Sequence, residues 1–345
     1  MPKTLLIRAD AGPDIGMGHV MRCLALALEW KRRGGALALL SASPPDAVVN
    51  KWRSIGADVF PLEIIRGTEE DLLVTAELIG QLAPDWLVVD GYHFDSTYQR
   101  TLANLGQLLW IDDEAHAAPY TADLVLNQNL HAHESMYAER RGETSLLLGL
   151  RYVLIRPEFL GRRWSPNTPS DCPKVVIIMG GSDPSNVSLA VAQAISALPV
   201  RIDIHIVVGP ASPHLSSLQH QSQRATQPWT LHHAPHDLPG LLCSADCVVT
   251  AAGSTSWELA CLGVPTCLLT VATNQLPIAA ELGKQQAAVL LGSATDVSSS
   301  QFNQILSDLL QDEALRKQLS NNGRNLVDGR GSMRVCDQLC SFDRP

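Results

Sequence analysis

Short apolar runs alternate with stretches of helical periodicity along the chain. In the first half the strand-like runs cover residues 4–7, 36–40, 58–61, 86–89, 108–111 and 124–126, and helical patterns cover 20–33, 46–55, 69–82 and 96–105. Several runs, such as 86–89, are apolar without alternation, which is typical of parallel strands covered on both faces. The succession predicts an α/β fold with an open, doubly wound sheet.

A proline-rich break interrupts this pattern, since three prolines fall within residues 166–173 among polar neighbours. The alternation then restarts with apolar runs at 175–179, 202–208, 247–250 and 266–269. We therefore expect an N-terminal Rossmann-like domain at 1–163, a linker at 164–173, a second Rossmann-like domain at 174–329 and a C-terminal helix at 330–345. Two facing doubly wound domains predict a ligand cleft between them.

The length of 345 residues and a hydrophobic content of 46% fit two globular domains with sizeable cores. The net charge of −9 disfavours nucleic acid and anionic membranes as general partners. No run approaches the ~20 apolar residues of a membrane span, and no secretory signal is visible. The eight cysteines contain no C-x-x-C pair and are interpreted as reduced thiols. We expect a cytoplasmic protein without stable membrane association.

The first strand leads into a glycine-rich turn that opens a helix. Gly16 and Gly18 lie in this turn, and His19 follows directly. Such a passage aims backbone N–H groups and the positive end of a helix dipole at one point. An imidazole placed there indicates a site that does chemistry on an anionic ligand, although a helix cap or a packed histidine would also explain His19.

Known cofactor motifs do not match this turn. The glycines at 12, 16 and 18 have the wrong spacing for G-x-G-x-x-G, and the second strand does not end in a carboxylate, so NAD is not expected. No P-loop motif occurs. The His232, His233 and His236 segment has no associated carboxylates and contains Pro235, so it is interpreted as a loop and not as a metal site. No cofactor and no metal are predicted.

A second turn of small residues follows the apolar run at 247–250. Gly253, Ser254 and Thr255 open a helix, and Glu258 lies near its first turn. Small residues let a diphosphate approach the backbone, hydroxyls add hydrogen bonds, and a carboxylate can accept from ribose hydroxyls. Capping alone would also explain Ser254, but not Gly253 and Thr255. This turn is therefore interpreted as a nucleotide diphosphate site.

Other strand ends carry polar residues. Gly181 and Ser182 open the second domain and could contact a sugar or phosphate, unless Asp183 or Ser185 there simply caps the next helix. In the first half, 90–93, 112–113 and 127–129 end strands, and each could touch a sugar or be a loop turn or cap. Tyr92 is the preferred candidate among them, because its hydroxyl lies in a glycine-flanked turn.

These motifs together bring out a family resemblance that spans nearly the whole chain. The chain resembles the nucleotide-sugar hydrolases of pseudaminic acid biosynthesis, which are related to spore-coat polysaccharide proteins and, more widely, to two-domain GT-B glycosyltransferases. The residues that carry the likeness are 8–10, 18–24, 149–152, 156–159, 180–183, 253–258 and 263–265. The 18–24 motif is fairly specific to the hydrolases, whereas 253–258 is shared with the transferases. The turn departs from the family at Pro13 and Met17, where we expect small or polar residues.

The resemblance implies the hydrolysis of UDP-2,4-diacetamido-2,4,6-trideoxy-β-L-altropyranose to the free sugar and UDP. It implies that His19 acts as the base, that Gly253–Thr255 and Glu258 bind the UDP, and that Asn274 and Gln275 reach the sugar. Attack of water opposite the UDP would invert the anomeric configuration. A GT-B glycosyltransferase, with His19 deprotonating an acceptor hydroxyl, and a non-catalytic nucleotide-sugar binder are the alternatives.

Overall fold

The computed structural model describes residues 3–12, 15–167 and 170–342. Pro13 in the first turn and Thr168 and Pro169 in the expected linker lie outside these ranges. The chain forms two compact units, residues 1–157 with 329–345, and residues 158–328.

The first unit is built around a seven-stranded sheet. Its strands are β1 (Thr4–Ala9), β2 (Ala36–Ala42), β3 (Asp58–Leu62), β4 (Trp86–Asp90), β5 (Leu108–Ile111), β6 (Leu124–Asn127) and β7 (Ser145–Leu148). Its helices are α1 (Gly18–Arg32), α2 (Asp46–Ser54), α3 (Glu69–Leu82) and α4 (Ser96–Ala103), with short 3-10 helices at Glu134–Tyr137 and Leu150–Tyr152. A further 3-10 turn at Pro157–Phe159 lies at the boundary of the units.

All neighbouring strands of this sheet run parallel, in the order β3-β2-β1-β4-β5-β6-β7. Leu5 and Ile7 pack into one apolar layer and Leu6 into the other, which explains why the runs lack alternation. The chain reverses its direction of strand addition between β1 and β4. A crevice therefore forms at the carboxyl ends of these two strands, where open α/β sheets bind their ligands.

The second unit has a six-stranded parallel sheet. Its strands are β8 (Lys174–Ile178), β9 (Asp203–Val208), β10 (Trp229–His233), β11 (Cys247–Ala251), β12 (Thr266–Thr270) and β13 (Val289–Ser293). Its helices are α5 (Val187–Ser196), α6 (Leu215–Ser222), α7 (Leu238–Cys243), α8 (Thr255–Leu262), α9 (Leu276–Lys284), α10 (Ser300–Gln311) and α11 (Glu313–Leu326), with 3-10 helices at Thr273–Gln275 and Ala294–Asp296. The order is β10-β9-β8-β11-β12-β13, so the reversal falls between β8 and β11.

The last helix, α12 (Gly331–Ser341), returns to the first unit. Val335, Cys336 and Leu339 are buried in the same core layer as α1, and Trp86 donates its indole N–H to the Leu339 carbonyl at 2.9 Å. The helix begins in close contact, because a Cβ added to Gly331 would lie 2.0 Å from the Val153 carbonyl oxygen. This helix therefore completes the core of the first unit.

The predicted fold class of two Rossmann-like α/β domains is confirmed. Strand β7 and helix α6 were not predicted. At the expected linker, Trp164 is buried and donates its backbone N–H to Leu262 and its indole N–H to Ala245, at 2.9 and 2.7 Å. The start of that segment is thus part of the second unit, and the domain limits drawn from the sequence stay a prediction.

Candidate functional site

The glycine-rich turn after β1 places His19 in the first turn of α1. Gly16 has a positive φ of 72°, a conformation that glycine adopts readily, and its N–H donates to the Gly12 carbonyl at 2.8 Å. Gly18 is the first helical residue, and no side chain caps the helix at Met17. The backbone N–H of Gly16 is therefore used within the turn, whereas among the residues that the structure describes no side chain caps the start of α1.

His19 is oriented by a buried carboxylate. Its Nδ1 lies 2.7 Å from Oδ1 of Asp90, the last residue of β4, which is fully buried. A guanidinium nitrogen of Arg22 also lies 3.4 Å from Nδ1, but the closer carboxylate oxygen is an acceptor and requires the proton on Nδ1. Nε2 has no hydrogen-bond partner among the described residues. The imidazole is thus held in the tautomer whose Nε2 can accept a proton.

Arg22, one turn further along α1, fixes that carboxylate. Its Nε and Nη2 donate to the two oxygens of Asp90, both at 2.6 Å, and its Nη1 donates to Asp113 at 2.6 Å. Burial raises the pKa of Asp90, but the charge of Arg22 and the hydrogen bonds from Arg22 and His19 outweigh it and hold this pKa well below its usual value. Asp90 is therefore an anion with a single orientation.

Tyr92 lies against the histidine. The two rings meet edge to face with centroids 4.8 Å apart, and the Tyr92 hydroxyl donates to Asp113 at 3.1 Å. Burial of the hydroxyl and the charge of Asp113 raise the pKa of Tyr92 well above its usual value. Tyr92 consequently keeps its proton, donates a hydrogen bond and packs against His19, while the residue as a whole is 42% exposed.

The polar residues at the end of β6 form hydrogen bonds beneath the buried side of the Asp113 carboxylate and around it. Asn129 donates its side-chain N–H to Asp113 at 2.7 Å, and Asn127 donates to the Tyr137 hydroxyl at 2.8 Å. Gln128 accepts the backbone N–H of Leu154 at 3.0 Å. All three side chains are buried and serve internal hydrogen bonds, so the loop interpretation holds for them.

Two further histidines at this sheet edge are paired with buried carboxylates. Nε2 of His93 lies 2.8 Å from Asp10, and Nδ1 of His116 lies 3.2 Å from Asp112. Asp10 also accepts from Arg8 at 2.5 Å. Sequence reasoning named Asp90 and Asp113 only among strand-end residues that could touch a sugar, preferred Tyr92 to them, and gave Arg22 no role of its own. The available signal was their position, because Asp90 and Asp113 follow strands and Arg22 is one helical turn after His19.

In the second unit, the turn between β11 and α8 leaves donors unused. Ser254 is exposed at the N-cap position but its side chain makes no capping bond. The backbone N–H groups and hydroxyls of Ser254 and Thr255 have no hydrogen-bond partner among the described residues. An added Cβ at Gly253 would meet nothing within 4 Å. The capping interpretation of Ser254 is thus not supported, and the turn offers unpaired donors beside open space.

Glu258, Asn274 and Gln275 lie near this turn in the fold. Glu258 is on the first turn of α8, while Asn274 and Gln275 follow β12, which pairs with β11. Gln275 uses its Oε1 to accept the Val271 N–H at 3.0 Å, whereas Asn274 is exposed. The sheet therefore brings the two turns to one edge.

The turn after β8 is largely a helix-capping structure. Asp183 accepts the backbone N–H groups of Val187 and Ser188 at 2.8 and 3.0 Å. Gly181 accepts the Ala211 N–H at 3.1 Å, and Ser182 is buried. Asp183 thus has the capping role that the sequence left open, while Gly181 and Ser182 stay candidates for ligand contact.

Elsewhere, His232 donates to or accepts from His205 at 2.8 Å, and His205 contacts Asp203 at 3.0 Å. Over the ranges that the structure describes, no group of three or more His, Cys, Asp or Glu residues is arranged to hold a metal ion. In those same ranges, every helix is too short or too polar to span a bilayer.

The fold identifies the structural class of the protein. The chain is an α/β protein of the GT-B type, with two Rossmann-like domains. The crystal structure of MurG from Acinetobacter baumannii matches it with a TM-score of 0.71 at 17% identity, covering 99% of this chain and all of that one. No protein-family model matches the chain.

More particular relatives are found by sequence. The chain is 27% identical to the spore coat polysaccharide biosynthesis protein SpsG of Bacillus subtilis, over 95% of both chains. It is 28% identical to the UDP-2,4-diacetamido-2,4,6-trideoxy-beta-L-altropyranose hydrolase of Campylobacter jejuni, over 62% of this chain and 73% of the relative. The resemblance inferred from the sequence is therefore confirmed.

Proposed function

We propose that this protein hydrolyses a UDP-linked 2,4-diacetamido-2,4,6-trideoxy sugar to the free sugar and UDP. The observation that carries the proposal is the His19–Asp90 pair, which leaves Nε2 of His19 available as a base. The relative from Campylobacter jejuni supports the choice of a UDP-sugar and of water as the acceptor. The relative from Bacillus subtilis supports a role in polysaccharide biosynthesis.

In the proposed reaction, Nε2 of His19 takes a proton from water while the water oxygen bonds to the anomeric carbon. The bond from that carbon to the β-phosphate oxygen breaks, and its electron pair leaves with UDP. Asp90 keeps Nδ1 protonated and stabilises the imidazolium that forms, the part a carboxylate plays in a catalytic triad. Tyr92 packs against His19 and limits its rotation. Attack from the side opposite UDP inverts the configuration, which NMR of the fresh product tests.

The second unit is proposed to bind the UDP. The unpaired N–H groups and hydroxyls of Ser254 and Thr255, beside the open space at Gly253, suit a diphosphate. Glu258 is proposed to bind the ribose. The remaining candidates for ligand contact are Gly16, Gly18, Gly181, Ser182, Asn274 and Gln275. UDP is a good leaving group, so these donors stabilise the developing charge in a reaction that needs no metal.

The substitution His19→Asn tests the base. The asparagine amide can still donate to Asp90, but it cannot take a proton from water. We expect kcat to fall by about 10²–10⁴-fold, the usual contribution of a general base, with an unchanged Kd for UDP by calorimetry. His220→Asn on exposed α6 is the control. Turnover near the wild-type rate in His19→Asn would refute the role.

The same assay separates the alternatives. A GT-B glycosyltransferase is supported by the structural neighbours, among them MurG. Incubated with a panel of UDP-amino sugars and water alone, a hydrolase releases UDP at a catalytic rate, whereas a transferase releases it slowly or not at all. A nucleotide-sugar binder would bind UDP and turn over none of the sugars.

A further inference from the structure

His116 has an unusual pair of neighbours. It follows β5, and its side chain is 22% exposed. Nδ1 lies 3.2 Å from Oδ1 of Asp112, and Nε2 lies 3.1 Å from the carbonyl oxygen of Phe94. Neither ring nitrogen therefore faces a donor.

Both neighbours are acceptors. A carbonyl oxygen carries no proton, and Asp112 is held as an anion, because its Oδ1 also accepts the backbone N–H groups of Glu114 and Ala115 at 2.9 and 2.8 Å. Its Oδ2 accepts the Tyr120 hydroxyl. To bond to two acceptors, His116 needs a proton on each ring nitrogen, so the ring is an imidazolium.

The surrounding charges favour this form. Asp112 and Glu114 are the acidic groups that act on the ring, and the uncharged Tyr92 ring lies 5.9 Å away, centroid to centroid. Burial lowers the pKa of His116, but the hydrogen bond and the charge of Asp112 outweigh it and raise this pKa above its ordinary value. The electrostatics thus agree with the hydrogen-bond geometry.

The Phe94 carbonyl belongs to the segment of residues 91–95, which joins β4 to α4 and carries Tyr92. Phe94 itself is fully buried against Tyr98 and Trp110. The Tyr92 ring stands between two histidines, at 4.8 Å from His19 and 5.9 Å from His116. A protonated His116 therefore joins the end of β5 to the segment that holds Tyr92 against the base.

We propose that His116 is a positioning residue whose doubly protonated ring fixes segment 91–95 and, through Tyr92, the orientation of His19. Loss of one proton breaks the bond to Asp112 or the bond to Phe94 and lets the segment move. This inference rests on the proposed hydrolase function. It adds a titrating histidine outside the base itself, whose loss of a proton lowers the rate on the alkaline side.

The first test does not depend on activity. Long-range proton–nitrogen NMR of protein labelled with ¹⁵N-histidine reports both ring nitrogens, and the His116→Gln spectrum assigns the signals. We expect two protonated nitrogens at pH 7, and a shift of the Tyr92 ring resonances as the His116 signal titrates at higher pH. A neutral His116 ring at pH 7, or Tyr92 resonances that do not shift as the His116 signal titrates, would overturn the proposal.

The second test is the pH profile of kcat/KM for the wild type, His116→Gln, His116→Lys and the control His220→Gln. At the optimum, His116→Gln should be about 10–100-fold slower, as for other small displacements of a catalytic group. Lysine keeps a cation, so His116→Lys should recover part of the rate and move the alkaline limb to higher pH. A folded His116→Gln with the wild-type rate and profile would contradict the proposal. If the wild type hydrolyses nothing at any pH, the proposed function fails, and the NMR result alone decides the state of His116.

Discussion

Helices α1 and α8 each follow a strand of a parallel sheet after a turn that contains glycine, but the polar side chains at the two helix starts have opposite surroundings. At α1, His19 and Arg22 are buried against Asp90 and Asp113, within 2.7 Å of carboxylate oxygens. At α8, the hydroxyls of Ser254 and Thr255 have no partner in the described part of the chain. Protein contacts thus hold His19 in one orientation at α1, whereas donors stay unpaired at α8, where we propose that the diphosphate binds.

The largest test of this contrast is Asp90→Asn. An asparagine amide donates to Nδ1 of His19, so the proton moves to Nε2 and the base is lost. We expect kcat to fall by roughly 10³–10⁴-fold, as when the carboxylate of a catalytic triad is changed to an amide, while UDP still binds. UDP release and calorimetry measure the two effects.

Asp71→Asn is the matched control for this change. Asp71 is also fully buried and accepts from an arginine, since Arg8 donates to both its oxygens at 3.1 and 2.8 Å. Both variants leave a buried guanidinium short of a partner, and we expect both to lower Tm. If kcat falls equally in Asp90→Asn and Asp71→Asn, the hydrogen bond from His19 to Asp90 has no specific role in catalysis.

A smaller effect is expected at α8. The double variant Ser254→Ala with Thr255→Val removes two hydroxyl donors, each worth about 0.5–1.5 kcal/mol, so UDP affinity should fall roughly 5–150-fold. Because Ser254 makes no capping bond, Tm should not change. Ser299→Ala is the control, since Ser299 does cap α10 through the Phe302 N–H. A loss of Tm without a loss of UDP affinity would restore the capping interpretation.

The smallest expected effect is on stability, because it is absent at neutral pH and develops only in acid. Asp10, Asp90 and Asp112 of the first unit have pKa values below the usual one, because ion pairs and hydrogen bonds outweigh burial. Such groups stabilise the fold above their unfolded pKa of about 3.9, and this contribution is lost as the pH falls below it. In the described part of the second unit, the carboxyl with a lowered pKa is Glu313, a surface residue paired with Lys317.

Acidification below about pH 4 should therefore open the first unit before the second. Hydrogen exchange followed by mass spectrometry reads the two units separately at each pH. Earlier loss of protection in the second unit would mean that these carboxylates do not control acid stability.

The fold could be predicted because its strands are buried on both faces and read as short apolar runs. Helix α6 was missed because its sequence is largely polar around Leu218, its one buried side chain. Strand β7 was overlooked although residues 146–148 are three consecutive leucines, a run as long as the one at 124–126. Only α6 lacks the apolar signal that marked the other elements.

The site was harder to predict, because its contacts join distant residues. His19 stands out locally as the residue that ends a glycine-rich turn. Asp90 lies 71 positions further along, and only the pairing of β1 with β4 brings it to the histidine. From the sequence, the amide side chains of 127–129 could face a sugar or the interior. They face the interior because Asn127, Gln128 and Asn129 bond to Tyr137, Leu154 and Asp113.

Helix α12 bears on how the protein is made. The first unit needs residues 331–341 to cover α1 and Trp86, yet 158–328 are synthesised in between. During translation the first unit cannot complete its core until the whole second unit has left the ribosome. Until then, the face of the core that α12 covers stays exposed. The second unit is continuous and can fold as it emerges. A product that terminated before residue 331 would hold His19 on an incomplete core, because Val335 and Leu339 would be missing from the layer that packs against α1.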